Sequence, residues 1–137
     1  MRILDKQFLT SLECSALASP RKRAHLNLHN SFEEKIQRLF ISLTKGSYVK
    51  PHYHELPHQW EMFVVMEGIV EVVFYSKGGQ EQQRLLVGEG QSCKAIEIHP
   101  MEIHSVECIS EKALMLEIKE GPFNPDFSKV MVDLGNA

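Results

Sequence analysis

The chain has 137 residues, 43% of them hydrophobic and 24% charged, proportions typical of an ordinary globular protein and not of a disordered or fibrous one. Its formal net charge of −3 gives no overall basic character, so we expect no nucleic-acid partner. The length suits one domain over 1–137, with a helical arm at 1–20, a barrel at 21–120 and an irregular tail at 121–137.

The amino-terminal segment predicts a short helix. From 5 to 18, apolar residues recur at helical spacing, and Asp5 can cap the first turn. We expect this helix to pack as a lid or a dimer arm. The segment lacks the apolar run and cleavage site of a secretory signal, and no stretch reaches the roughly 18 apolar residues of a membrane span, so we expect a cytoplasmic protein without a membrane partner.

Beyond residue 20 the pattern is all-β, because short runs rich in Val, Ile, Phe and Leu alternate with turn residues. Strands are predicted at 25–29, 36–43, 48–54, 60–67, 69–75, 81–87, 94–99, 103–109 and 113–119. Many short strands at this spacing fit a sandwich or a jelly-roll barrel.

Two histidines separated by one residue, His52-Tyr53-His54, form the strongest local signal. Side chains two apart on a strand point to the same side, so both imidazoles can bind one ion. Glu61 opens a strand in which Phe63 and Val65 share its face, so its carboxylate heads an apolar row. A metal ion would offset the cost of burying that carboxylate. His104, where a turn enters a strand, is the fourth candidate ligand.

Three imidazoles and one carboxylate suit one divalent ion, such as iron, manganese, nickel, cobalt or zinc, and do not select among them. A six-coordinate ion would keep positions open for water or substrate. The alternative is a solvated edge or a hydrogen-bonded core pair, and spacing alone leaves both interpretations open. His58, in the loop before Glu61, and His99, at a strand end, are rival ligands.

The order Gly46, His52-Tyr53-His54, Glu61, Gly68 resembles the first cupin motif. The gap between His54 and Glu61 is longer than the family's usual one, so a loop beside the metal is extended. The second motif survives only as Pro100 and His104, with Glu102 near the place of its glycine. The resemblance implies a cupin-type jelly-roll β-barrel with metal bound by His52, His54, Glu61 and His104.

A closer resemblance, to the WbuC-type cupin metalloproteins, extends over nearly the whole chain. The segments that carry it are Pro20-Arg21-Lys22-Arg23, Asn27-Leu28-His29, Gln37-Arg38, Gly46-Ser47-Tyr48-Val49, Pro51-His52, Trp60-Glu61 and Glu120-Gly121-Pro122-Phe123. It implies the same metal site and an association with bacterial surface-polysaccharide gene clusters. After Lys129 the sequence lacks the tryptophan-containing end of that family.

The basic segment near residue 20 offers a ligand-binding edge. In an extended chain Arg21, Arg23, His25, Asn27 and His29 fall on one side. If that side faces the barrel mouth, the arginines can clamp a phosphate or carboxylate while Asn27 and His29 bind hydroxyls. If it faces outward, it is a solvated edge. Tyr48 and Trp60 are further candidates to line the pocket, although residues of either type are more often core.

These features favour a cupin that binds one divalent metal and a small, oxygen-rich, anionic carbohydrate-type ligand, such as a sugar or sugar nucleotide, in surface-polysaccharide biosynthesis. Isomerase or epimerase chemistry would need a general base, for which His29, His58 and Glu102 are the candidates. The alternatives are an Fe(II) dioxygenase and a non-catalytic, metal-dependent carbohydrate-binding module. A homodimer is plausible, since a small barrel tends to cover its edge strands.

Overall fold

The computed structural model describes residues 1–135. Helix α1 (Lys6–Ala18) precedes strands β1 (Arg23–Asn27), β2 (Ile36–Thr44), β3 (Tyr48–Tyr53), β4 (Glu61–Glu67), β5 (Ile69–Tyr75), β6 (Glu81–Gly88), β7 (Ala95–Ile98), β8 (Ile103–Cys108), β9 (Lys112–Glu120) and β10 (Val130–Met131). A 3-10 turn at Pro125–Phe127 lies between the last two strands. Among residues 1–135, no helix has the length and hydropathy needed to cross a membrane.

The strands form two five-stranded sheets, in the orders β1-β2-β9-β4-β7 and β10-β3-β8-β5-β6. Neighbouring strands are antiparallel, and the sheets enclose one apolar core, so the predicted jelly-roll architecture is confirmed. The buried core residues are Leu39, Ile41, Leu43, Phe63, Val65, Val70, Val72, Val87, Ile96, Ile98, Val106, Cys108, Ala113 and Met115.

Strand β2 is buried on both faces, which explains its nearly continuous apolar sequence. Leu39, Ile41 and Leu43 point into the core, whereas Phe40 points outward and packs beneath α1. There it meets Leu12 of the helix. The helix therefore covers the outer wall of the first sheet and is not a lid, whereas its role as a dimer arm stays a prediction.

The helix begins where the sequence predicts. The carboxylate of Asp5 accepts a hydrogen bond from the backbone N–H of Phe8 at 2.9 Å, which satisfies one of the free donors of the first turn. The nine predicted strands all form, in the predicted order, with small differences at their ends. The largest concerns β1, which pairs from Arg23 opposite Leu43 to Asn27 opposite Leu39 and so lies two residues earlier than predicted.

Two glycines of the histidine-containing motif, Gly46 and Gly68, adopt backbone conformations that other residues rarely adopt. Gly46 and Gly68 have φ angles of 84° and 72°, in the left-handed region that favours glycine. A Cβ atom at Gly68 would lie 2.0 Å from the backbone oxygen of Lys112. The turn between β4 and β5 therefore requires glycine.

The prediction of an irregular tail is wrong at one place. Val130 and Met131 form β10 and pair with Tyr53 and His52 of β3, which adds an edge strand to the second sheet. This pairing brings the carboxyl-terminal segment against the strand that carries the histidine pair.

Candidate metal centre

Three strands bring the four candidate ligands together. His52 lies on β3 directly opposite His104 of β8, and His54 follows the end of β3. Glu61 is the first residue of β4, in the facing sheet. One ligand atom from each of the four side chains lies within 4.8 Å of the others. These residues are up to 52 positions apart in the sequence, and the folding of the barrel brings them together.

Each histidine is oriented by a backbone carbonyl. The Nδ1 atoms of His52, His54 and His104 lie 2.8, 2.7 and 2.9 Å from the carbonyl oxygens of Lys50, Ser128 and Glu102. When Nδ1–H donates to a carbonyl, the lone pair of the neutral ring is on Nε2. All three imidazoles are thereby held in the tautomer that presents Nε2 as a ligand.

One polar atom in this cluster has no hydrogen-bond partner. The Nε2 atom of His54 is buried and accepts or donates no hydrogen bond, although it lies 3.3 Å from a carboxylate oxygen of Glu61. The other oxygen of Glu61 lies 2.9 Å from Nε2 of His104. A buried nitrogen left without a partner beside a carboxylate is the arrangement that a metal ion would complete.

The charges of the cluster follow from burial and from these contacts. Burial, with the neighbouring His104 charge, lowers the pKa of His52 to about 4, so this imidazole is neutral near pH 7. Burial opposes ionisation of Glu61, but the contacts with His104 and His54 outweigh it and hold the pKa of Glu61 well below its usual value. Burial also opposes the charge on His104, yet Glu61 outweighs it and raises the pKa of His104.

Neutral imidazoles and an ionised carboxylate are the ligand forms that divalent metals require. The donor set of three nitrogens and one or two oxygens fits one divalent ion and leaves its identity open. When bound, such an ion acts as a Lewis acid toward a carbonyl or hydroxyl oxygen.

The cluster opens into a cavity of about 360 Å³ between the two sheets. One wall consists of the alternate residues Arg21, Arg23, His25, Asn27 and His29, while Leu26 and Leu28 point away toward α1. Glu117 and Lys119 of β9, in the same sheet as β1, and Ser128 and Lys129 of the tail also line the cavity. A cavity of this size is large enough for a small ligand.

A model of the domain of unknown function DUF6016 matches residues 4–87. The chain belongs to the DUF6016 family. No curated protein has a sequence similar to this one at a significant level.

Solved structures of oxalate oxidase and of cupin superfamily proteins share the fold of this DUF6016 chain. Oxalate oxidase in complex with the substrate analogue glycolate has a TM-score of 0.62 and 17% identity, over 84% of this chain and 57% of that one. A cupin superfamily protein from Desulfitobacterium hafniense has a TM-score of 0.56 and 14% identity, over 72% of this chain and 76% of that one. Oxalate decarboxylase from Bacillus subtilis, studied for its Mn(II) centres, has a TM-score of 0.61 and 17% identity, over 80% of this chain and 28% of that one. At these identities the likeness concerns the fold, and the DUF6016 chain spans little more than half of the oxalate oxidase chain.

His29 is the one proposed general base that the DUF6016 structure places in the cavity. It is buried, and its Nδ1 lies 2.9 Å from the backbone oxygen and 3.0 Å from the backbone nitrogen of Arg38, which leaves Nε2 for the cavity. His58 lies in a small adjoining crevice that His54 and Glu61 also line, with its Nε2 3.4 Å from the carbonyl oxygen of Pro122. Glu102 is exposed and its carboxylate accepts from the backbone N–H of His99, so it staples a turn. The structure places neither His58 nor Glu102 in the cavity, so among the three candidates it favours His29.

His99, the rival ligand, is also outside the cluster, because its side chain is 68% exposed and lies beside Glu97. Trp60 directly precedes β4 and lines the small crevice beside the cluster, outside the cavity. Its indole N–H points to the carboxylate of Glu120 at 3.4 Å. The structure therefore does not place Trp60 in the cavity itself, and its part in ligand binding stays a prediction.

Tyr48 is likewise outside the cavity and 43% exposed. By strict alternation Tyr48 and His52 would share one face, but the pairing of β3 with β8 shifts in register between Val49 and His52. Val49 and His52 consequently face the cavity, and Tyr48 faces solvent. An irregularity of this kind leaves no clear mark in the sequence.

Three charged residues of the cavity, Glu117, Lys119 and Lys129, were not among the predicted site residues. Ala113 and Met115 of β9 belong to the core, and period two then places Glu117 and Lys119 on the same inward face. Polar residues that continue an apolar row were the available signal. Lys129 had none, because the tail has no recognisable period. Burial, and next the charge of Glu61, raise the pKa of Glu117 to about 8, so this carboxyl is largely protonated near pH 7.

Proposed function

We propose that this protein is a mononuclear metal-dependent cupin that binds and converts a small, oxygen-rich, anionic molecule. The observation that carries the proposal is the convergence of His52, His54, Glu61 and His104 at a cavity that also contains four cationic side chains. Those cations are Arg21, Arg23, Lys119 and Lys129. Metal and cations together suit a ligand that has oxygen donors at one end and negative charge nearby.

The electrostatic balance of the cavity supports an anionic ligand. Among residues 1–135, none of the four cationic side chains forms a salt bridge with a carboxylate. Glu61 is the ionised acid of the cavity, whereas the pKa of Glu117, raised to about 8, leaves that residue mostly neutral. Positive charge therefore exceeds negative charge before any metal is counted.

The proposed chemistry is an isomerisation or epimerisation. The metal would polarise a carbonyl or hydroxyl oxygen of the ligand. His29, whose Nε2 is free to face the cavity, would then exchange a proton with the ligand, and Asn27 would bind a hydroxyl. Oxalate oxidase binds the small hydroxy acid glycolate in a related fold, which makes a carboxylate-bearing ligand a reasonable probe.

A second candidate is an oxygen-dependent reaction with Fe(II). The observation in its favour is the histidine and glutamate donor set together with the fold shared with an oxidase. Consumption of oxygen by the iron-loaded protein in the presence of ligand would favour this reaction over isomerisation. Tight ligand binding without any chemical change would instead favour a binding module.

The biological setting belongs to the same proposal. The similarity to WbuC-type cupins in the segments Pro20–Arg23, Gly46–Val49 and Glu120–Phe123 supports a carbohydrate-type ligand and a role in surface-polysaccharide biosynthesis. We further propose a cytoplasmic homodimer, since the edge strands β1, β7, β10 and β6 offer surfaces that association would cover.

The test is the metal content of protein purified without added metal. We expect about one equivalent in the wild type, as one donor cluster implies, and its loss in His52→Ala and His104→Ala. His99→Ala, an exposed histidine outside the cluster, is the matched control and should keep the metal. A wild-type protein that stays metal-free even after reconstitution at neutral pH would overturn the proposed function.

A further inference from the structure

A groove on the outer rim of the barrel continues the cavity. The groove measures about 420 Å³, and four of its lining residues also line the cavity. The shared residues are Arg21, Arg23, Val49 and Lys129. A ligand seated on the shared side chains can therefore extend inward toward the metal cluster and outward along the groove.

The groove is strongly basic. Its lining contains five cationic side chains and no acidic one: Arg21, Lys22, Arg23, Lys50 and Lys129. None of the five belongs to a salt bridge within residues 1–135. Burial, followed by the charges of Arg23 and Arg21, lowers the pKa of Lys129, which shows how closely these cations are held together. Cations crowded without counter-ions are stabilised by a bound polyanion.

The outer end of the groove is apolar. Tyr48 is 43% exposed and Met131 is 52% exposed, and both line the groove beside the cations. An exposed aromatic ring next to cationic side chains is a surface on which a planar ring of a ligand can stack. This gives Tyr48 a position outside the cavity that is still within reach of a long ligand.

We propose that the groove binds the diphosphate and the planar ring of an extended ligand, a nucleoside diphosphate derivative whose oxygen-rich head enters the cavity. Arg21, Arg23 and Lys129 hold the phosphate nearer the cavity, and Lys22 and Lys50 hold the outer one. Two phosphate groups match five cations better than a single carboxylate does, because a carboxylate carries one charge. This inference deepens the proposed function, since it names the class of ligand that the same site receives.

The tail contributes to this site as well as to the metal centre. Lys129 lies between Ser128, whose carbonyl accepts from His54, and β10, which pairs with β3. The docked tail therefore carries a cation to the junction of cavity and groove. Phosphate binding at Lys129 and orientation of His54 depend on the same short segment.

The experiment is a calorimetric titration of the full-length protein with uridine diphosphate, uridine and inorganic phosphate. It is performed on metal-loaded protein and on protein stripped with a chelator, at low salt and at about 0.15 M ionic strength. The variants are Arg23→Gln, Lys129→Gln and Lys50→Gln. The matched control is Lys77→Gln, which changes an exposed lysine outside the groove.

We expect saturable binding of uridine diphosphate in both forms of the protein, much weaker binding of phosphate and none of uridine. Each groove variant should weaken binding about tenfold, and added salt should weaken it further, because charge-assisted contacts are lost. Lys77→Gln should bind like the wild type. Tyr48→Ala should weaken uridine diphosphate but leave phosphate unchanged.

Two outcomes would overturn the inference: no binding of uridine diphosphate at millimolar concentration, or equal weakening by the groove variants and by Lys77→Gln. The chelator-stripped protein separates this inference from the proposed function. Binding there in a protein that never acquires metal would support the groove and refute the metal-dependent activity. A metal-replete protein that does not bind the nucleotide would refute the groove and leave the metal-dependent function standing.

Discussion

The Nδ1 atom of His54 lies 2.7 Å from the carbonyl oxygen of Ser128, which is 74 residues further along the chain. This contact makes the carboxyl-terminal tail a part of the metal centre, because it fixes which nitrogen of His54 faces the other ligands. The Nε2 atom that results is buried and has no hydrogen-bond partner. A change in the tail is therefore expected to alter the orientation of His54 and, with it, metal binding.

Removal of the tail from residue 122 onward should weaken metal binding by about 10–100-fold, since an orienting hydrogen bond to a ligand is lost. Competition with a chromogenic chelator measures the affinity. A shorter deletion, from residue 133 onward, keeps Ser128 and β10 and is the control. Equal affinity in all three proteins would show that His54 needs no such support.

Metal binding should strengthen with rising pH. In the metal-free protein the pKa of His104 is raised by Glu61, so this imidazole is protonated below the raised value and must release its proton to bind an ion. We expect affinity to rise by up to about tenfold per pH unit until the pH passes the raised pKa of His104, with proton release on binding. Titrations in buffers of different ionisation enthalpy measure that proton.

The same linkage sets the stability of the metal-free protein. The contribution of His104 is complete below pH 6.5 and is lost as the pH rises through its raised pKa. The contribution of Glu61 is present above pH 4.5 and is lost as the pH falls through its lowered pKa. A metal affinity that does not change with pH below the raised pKa of His104 would contradict the pairing of His104 with Glu61.

Glu117→Gln should stabilise the metal-free protein at alkaline pH and leave it nearly unchanged near pH 4. The pKa of Glu117 is raised from 4.5 to about 8, so the wild type loses stability as the pH rises between these values, and a neutral amide avoids that loss. At about 1.4 kcal/mol per pH unit, the ceiling is about 5 kcal/mol, and we expect a gain of at least about 1 kcal/mol at pH 9. Urea unfolding at both pH values measures it, with Glu111→Gln, an exposed carboxylate, as control.

His29→Gln should abolish turnover of any ligand that the wild-type protein converts, while the metal content stays at its wild-type level. His29 lines the cavity without being one of the clustered ligands. His58→Gln and Glu102→Gln should retain activity within a few fold, because these side chains lie in a crevice and in an exposed turn. If His58→Gln proved to be the inactive variant, the assignment of the base to the cavity wall would be incorrect.

Leu12→Ala should destabilise the protein by about 2–4 kcal/mol, because this helix residue is 4% exposed and packs on Leu28, Phe40 and Leu114. Leu17→Ala, at a position 75% exposed on the same helix, should cost less than about 0.5 kcal/mol. The metal content of both variants should equal that of the wild type, since α1 packs on the outer wall. Loss of metal in Leu12→Ala would mean that the helix supports the site.

Sequence pattern alone predicted much of the fold. Alternating apolar residues and turn glycines located nine of the ten strands, and Asp5 marked the start of the helix. These signals are local, because period two and a capping side chain depend on neighbouring residues. The spacing of His52, His54 and Glu61 was informative for the same reason, since two residues on one strand and a residue at the start of the next have predictable directions.

The tertiary structure decided what depends on distant segments. The register shift in β3 turned Tyr48 outward, and the pairing of β10 with β3 brought Ser128 and Lys129 to the site. Neither could be read from the sequence, since a bulge and a two-residue strand are selected by packing against partners far along the chain. The sequence by itself determined the ligand types and the strand order, while closure of the barrel determined which charged side chains share the cavity with them.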